Sequence, residues 1–145
     1  MLTNSRTPIK IEMNIPQYFM DDTLIDDKQK IVRRWLPAKI YPFPVVESDK
    51  SWEYRIVAMF GSVLPNPNGG YYMYYYNWPT GTRGLTCLAE SEDGFRWSKP
   101  ELGIVDWNGS SANNIVIDPG SINDGPSVMI DPDDPKNPYK AIIFQ

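Results

Sequence analysis

Trp52-Glu53 sets an indole ring next to a carboxylate. Such a pair can hold a sugar, with the ring against its apolar face and the carboxylate on its hydroxyls. The same dipeptide equally describes a core tryptophan followed by a surface glutamate. Arg55 can pair with Glu53 or hold a substrate hydroxyl. Asp21-Asp22 can serve a site or simply end a strand in solvent. Asp124, within Asn123-Asp124-Gly125-Pro126, is a carboxylate and also a good turn former. Asp131, Asp133 and Asp134 suggest calcium at first sight. Their spacing lacks the glycine and terminal glutamate of an EF-hand loop, so they read as a turn and no metal is expected. The sequence contains no His, which excludes Ser-His triads and His-based zinc sites within it. Cys87 is the single cysteine; it falls at an apolar strand position and reads as a buried structural thiol rather than a nucleophile.

Composition narrows the partners. A net charge of −4 argues against nucleic acid and anionic membrane. Aromatic residues make up 13%, which suits pleated strands and also suits stacking on sugar rings. No apolar run approaches membrane-span length. MLTNSRTPIKIEMN lacks the hydrophobic core of a signal peptide, which favours the cytoplasm.

Positioning such residues falls to β-structure. Residues 1–50 read as a lead-in, with a short strand over Gln17–Asp26, a segment over residues 28–36 that suits a short helix or, preferred, a strand, and a proline-bearing extended connector over Tyr41–Asp49. Residues 51–145 read as sheet. Strands are expected over about Ile56–Leu64, Tyr71–Asn77, Leu85–Ser91 and Phe95–Ser98. The first turn is Asn68-Gly69-Gly70 and the last is Asp93-Gly94. A long polar connection, Lys99–Gly125, carries a short Ile-Val-Ile strand. SVMIDPDDPKNPYKAIIFQ (127–145) then repeats SVLPNPNGGYYMYYYN (62–77) at an offset of about 65 residues. A four-stranded sheet recurring at this period is the signature of a β-propeller, and the expected fold class is all-β, one blade and the start of a second. Such a ring needs more blades than 145 residues provide, so the chain is expected to be the N-terminal part of a longer protein.

The order MDDTLID, RRWLPAK, SWE, FGSVL, YYMYYY, LAESEDGFRWSKPELG, NGSSANNIV and DPDDPKNPYK resembles a bacterial group within the arabinanase/levansucrase/invertase-like superfamily, of the glycosyl hydrolase family 32-like kind. The resemblance runs from about Phe19 to Phe144. Its most specific stretch is Ala89–Gly103 together with Asn113-Asn114-Ile115-Val116. The Ser-x-Asp-Gly-x-x-Trp element is also similar to the Asp-box of sialidases, which has one more residue between Asp and Gly. The resemblance implies a five-bladed β-propeller with a carbohydrate site in its central funnel and no cofactor.

The same resemblance implies catalysis by carboxylates from the inner strands of the first three blades. One attacks or activates water, one orients, and a Glu protonates the leaving group. The first-blade position falls near Met59-Phe60-Gly61, where no carboxylate stands, and the nearest candidates are Glu53 and Asp21-Asp22. The second-blade position falls in Asn123-Asp124-Gly125-Pro126-Ser127-Val128, with Asp124 one residue out of register. The third lies beyond Gln145. Glu53 and Asp124 are therefore the candidate catalytic residues, with Trp52, Arg55, Asp22 and Asn123 as candidate substrate contacts. Because the general acid is missing, these residues alone are expected to show no turnover. A non-catalytic carbohydrate-binding propeller, a glycoside phosphorylase and a sialidase-like propeller are the alternatives.

Overall fold

The computed structural model describes residues 9–54, 56–121 and 124–144. The chain divides into two compact units, Met1–Ile40 and Tyr41–Gln145. In the first, residues 9–40 form turns and bends with no strand, so the strands expected over Gln17–Asp26 and residues 28–36 are not formed. The reason is local. Asp21 accepts a hydrogen bond from the Thr23 backbone N–H at 2.9 Å, and Asp22 accepts from Lys28 and Arg33, both at 2.6 Å. Arg33 also donates to the Asp21 carbonyl at 2.7 Å. Side chains that bond nearby backbone curl the chain where a ladder would extend it.

The second unit is all-β among the described residues. Strands β1 (Ile56–Pro65), β2 (Tyr71–Thr80), β3 (Arg83–Ser91) and β4 (Ile115–Ile117) form one antiparallel sheet in the order β1-β2-β3-β4. Strands β5 (Asp124–Ile130) and β6 (Tyr139–Phe144) form a second, two-stranded sheet. The β1–β2 turn forms around the expected glycines. Gly69 and Gly70 both have positive φ, and the Asn66 side chain accepts from the Asn68 N–H at 2.8 Å. A side chain at Gly70 would strike the Ser91 carbonyl, so the turn lies tight against the end of β3.

The fourth strand differs from expectation. Phe95–Ser98 makes no strand; its backbone pairs with β3 through the isolated bridge Glu90–Ser98 alone among the described residues. Asp93 is the cause, because its carboxylate accepts from the N–H groups of Phe95 and Arg96, both at 2.8 Å, and winds that segment into a loop. After Ser98 the chain leaves the edge of β3. It returns at Asn114, whose carbonyl accepts from the Leu88 N–H at 2.9 Å. The Ile-Val-Ile segment inside the long connection is β4, and it fills the fourth place beside Thr86 and Cys87.

Alternation along β2 sorts the core onto two faces. Met73 and Tyr75 pack with Leu85, Cys87, Ala89 and Ile115, joined by Trp52, Trp97, Val105 and Trp107 from the covering segments. Tyr74 packs with Leu88 and Val128, which brings the second sheet onto the opposite face. Arg83 ties the 99–113 excursion down by pairing with Asp118 and stacking over Trp107 at 4.9 Å.

The sequence repeat is reproduced in register. Ser62 pairs with Tyr74 and Pro65 with Tyr71; the repeat-related Ser127 pairs with Ile142 and Ile130 with Tyr139. Both hairpins also break register at the same place, immediately before the serine: between Ala58 and Ser62, and between Asp124 and Ser127. The first strands of the two hairpins lie side by side, with the Val128 N–H donating to Ser62 Oγ at 2.9 Å.

Candidate functional site

The two candidate carboxylates occupy unlike surroundings. Glu53 is fully buried. Its Oε1 accepts from the Tyr75 hydroxyl at 2.5 Å, and its Oε2 accepts from Lys99 Nζ at 2.6 Å. The N–H groups of Asp49 and Lys50, each at 3.2 Å, complete four donors on one carboxylate. Lys99 is itself nearly buried and also donates to the Glu47 carbonyl and to Asp49, both at 2.6 Å. The sequence builds this locally from a turn in which the Glu53 N–H donates to the Lys50 carbonyl at 2.9 Å, so the side chain folds back under its own backbone.

The network extends through Asn114. Its Nδ2 donates to the Tyr75 hydroxyl at 2.6 Å and to the Leu88 carbonyl at 2.7 Å, and its Oδ1 accepts from Trp52 Nε1 at 3.0 Å. Trp52 is thereby a half-buried core ring. Asn77 Nδ2 donates to the Trp52 carbonyl. Burial, with the nearby Cys87 and Glu53 adding to it, drives the Tyr75 hydroxyl far above its ordinary range. Burial also pushes the Cys87 thiol up to about 12, so it stays protonated and unreactive near neutrality. The Glu53 carboxylate, the Tyr75 hydroxyl, Lys99 and the Asn114 amide are spent on one another and on the backbone, so the chemistry available to Glu53 is that of a clamp.

Asp124 stands at the start of β5, exposed, in a hollow of about 370 Å³ lined by Phe60, Gly125 and Phe144. Phe144 is its cross-strand partner, so their side chains share a face. Phe60 comes from the irregular stretch of β1 and is 61% exposed. Its ring lies 6.3 Å from Tyr76, and Tyr76 lies 6.5 Å from Trp78. Burial, reinforced by the Asp124 charge, raises the Tyr76 hydroxyl above its usual range. Bulges re-aim side chains, and here they present Phe60 and Asp124 at the same opening. Gly61 makes the first bulge possible, since a Cβ there would sit 1.8 Å from the Tyr74 carbonyl oxygen.

The structure does not bring Glu53 and Asp124 together. Glu53 bonds Tyr75 and Asp124 lies by Tyr76; successive residues of β2 point to opposite faces of the sheet. Asp22 belongs to the other unit, where hydrogen bonds from Lys28 and then Arg33 hold its carboxyl below the usual range. Arg55 and Asn123 lie outside the described residues. Asp131, Asp133 and Asp134 close the β5–β6 turn: Asp131 accepts from the Asp133 N–H at 3.0 Å, and Asp134 pairs with Lys140 at 2.5 Å.

Sequence reasoning passed over Lys99, Asn114 and Phe60. Nothing in local pattern marks Lys99, which meets Glu53 across 46 residues. Phe60 had a signal, because the repeat lays Met59-Phe60-Gly61 on Asp124-Gly125-Pro126 and so places it at the same mouth. No family model, no curated protein and no solved structure matches this chain.

Proposed function

We propose that this chain contributes two neighbouring repeats to a glycoside hydrolase-like β-propeller, and that carbohydrate is met at Asp124. The observation that carries the reading is the exposed Asp124 carboxylate beside an exposed aromatic ring at the irregular start of a repeated strand. A carboxylate accepts from sugar hydroxyls, and an aromatic face takes the C–H face of the ring. The propeller is supported by two hairpins with matching registers and bulges and with first strands side by side.

Hydrolysis needs two carboxyl groups flanking one bond. Asp124 supplies one, and in this reading the general acid comes from a third blade. Glu53, locked on the opposite face, favours as second reading a propeller that binds sugar without cleaving it. Saturation-transfer NMR of the protein with neutral, uronic and sialylated saccharides tests the shared claim. Transfer to at least one class, weakened in Asp124→Ala, is the expected result; transfer to none overturns it. The same protein is expected to release no nitrophenol from aryl glycosides, and robust release would overturn the assignment of a lone carboxylate.

A further inference from the structure

When glycine follows asparagine, no side chain obstructs the next backbone nitrogen from reaching the asparagine amide. The chain holds two such pairs, Asn68-Gly69 and Asn108-Gly109. We propose that the fold makes the second pair, and not the first, a site of self-modification: the Gly109 nitrogen closes on the Asn108 side chain, with Asp106 as its general base. Asn108 and Gly109 are the central residues of a two-residue turn, with φ of 53° and 85°. Trp107 and Ser110 exchange backbone hydrogen bonds across it at 2.9 and 3.2 Å. Both central residues are exposed, and a Cβ at Gly109 would meet nothing within 4 Å, so a ring closing there has room. The Gly109 N–H donates to Asp106 Oδ1 at 2.9 Å, a distance over which a base can take a proton. The other pair is held differently. The Gly69 N–H donates to the Asn66 carbonyl at 2.9 Å, and a carbonyl is no base near neutral pH. Gly70, next in the chain, is pinned against the Ser91 carbonyl, which holds that turn still.

Water is the only co-reactant. The Gly109 nitrogen bonds to Asn108 Cγ as its proton passes to Asp106. The bond from Cγ to the side-chain nitrogen then breaks, and that nitrogen leaves as ammonia, carrying away the proton that Asp106 held. Water opens the resulting succinimide at either carbonyl, giving aspartate or an isoaspartate whose backbone is one carbon longer. The longer backbone cannot keep Trp107 and Ser110 in register. The disturbance reaches inward, because buried Asn113 donates to the Ser110 carbonyl at 3.1 Å and to the Val105 carbonyl at 2.8 Å. Trp107 itself packs on the core beneath Arg83. Modification at Asn108 therefore loosens the cover over the Met73 and Tyr75 face of the sheet.

Peptide mapping by mass spectrometry of the protein held near neutral pH over days tests the proposal, since exchange of ammonia for water marks each asparagine. Asn108 is expected to change at least about tenfold faster than Asn68, and Asp106→Asn to slow it by about tenfold. In urea, where the turn is lost, the two rates are expected to converge. Equal rates in the folded protein, or a faster Asn68, overturn the site. A preference for Asn108 that persists in urea overturns the part played by the fold. A rate at Asn108 that Asp106→Asn leaves unchanged or raises overturns the role of Asp106. Asn108→Gly keeps a turn former and removes the amide. Its unfolding midpoint is expected to hold through the incubation while that of the parent protein falls, and a parallel decline overturns the link to the Trp107 cover.

Discussion

Glu53 and Asp124 are the same kind of group in opposite circumstances. One is sealed under four donors and holds three segments of chain together; the other sits open beside an aromatic ring. Chemistry at a carboxylate requires a lone pair not already committed and a path for a ligand. Glu53 has neither; Asp124 is exposed and accepts no hydrogen bond from another described side chain or backbone N–H. Residue type nominated the two equally; packing separates them.

The contrast is broken most directly at Lys99. Lys99→Met strands the buried Glu53 carboxylate and is expected to cost about 3–5 kcal/mol in denaturant unfolding. A loss below about 1 kcal/mol would mean that Glu53 is not sealed. Gly61→Ala comes next, because its Cβ would overlap the Tyr74 carbonyl. It is expected to cost about 3 kcal/mol or more and to disturb the Phe60 resonances. Asp118→Asn removes the partner of Arg83 and should cost about 1–2 kcal/mol, discounted because Arg83 is partly exposed. At the other extreme, Asp124→Asn should change stability by less than about 0.5 kcal/mol.

Acid sharpens the same comparison. The Lys99 hydrogen bond lowers the carboxyl of Asp49. At Asp118 burial acts to raise the carboxyl, but the Arg83 hydrogen bond and the Gly120 N–H outweigh it and leave it lowered. Carboxyls depressed on folding stabilise above their unfolded value, near 3.8 here, and that stabilisation is lost as pH falls through the folded value. Unfolding midpoints should therefore be flat above about pH 5 and drop below about pH 4, with a shallower drop in Asp118→Asn.

What could be read from residue order was whatever is local or repeated. Strand β2 announces itself by its aromatic run, the Asn68-Gly69-Gly70 turn by its glycines, and the β5–β6 hairpin by its likeness to Ser62–Asn77. Phe95–Ser98 misled because Ser-x-Asp-Gly-x-x-Trp looks like a hairpin, whereas Asp93 binds the backbone of the very residues that would have paired. Gln17–Asp26 misled because an apolar-aromatic run needs a partner strand, and Asp21 and Asp22 fold it on itself instead. The separation of Glu53 from Asp124 depends on which face each approaches, and that was settled by segments distant in sequence.

The departure of the chain from β3 at Ser98 and its return at Asn114 has a consequence in time. The β1–β2 and β2–β3 turns join near neighbours, so those pairings can form early. The Lys99–Glu53 clamp and the β3–β4 pairing must wait for loops of tens of residues to close. Contacts that close loops of this length are expected to form after the main barrier to folding. They govern how fast the sheet opens more than how fast it assembles, so the clamp around Glu53 works as a brake on unfolding.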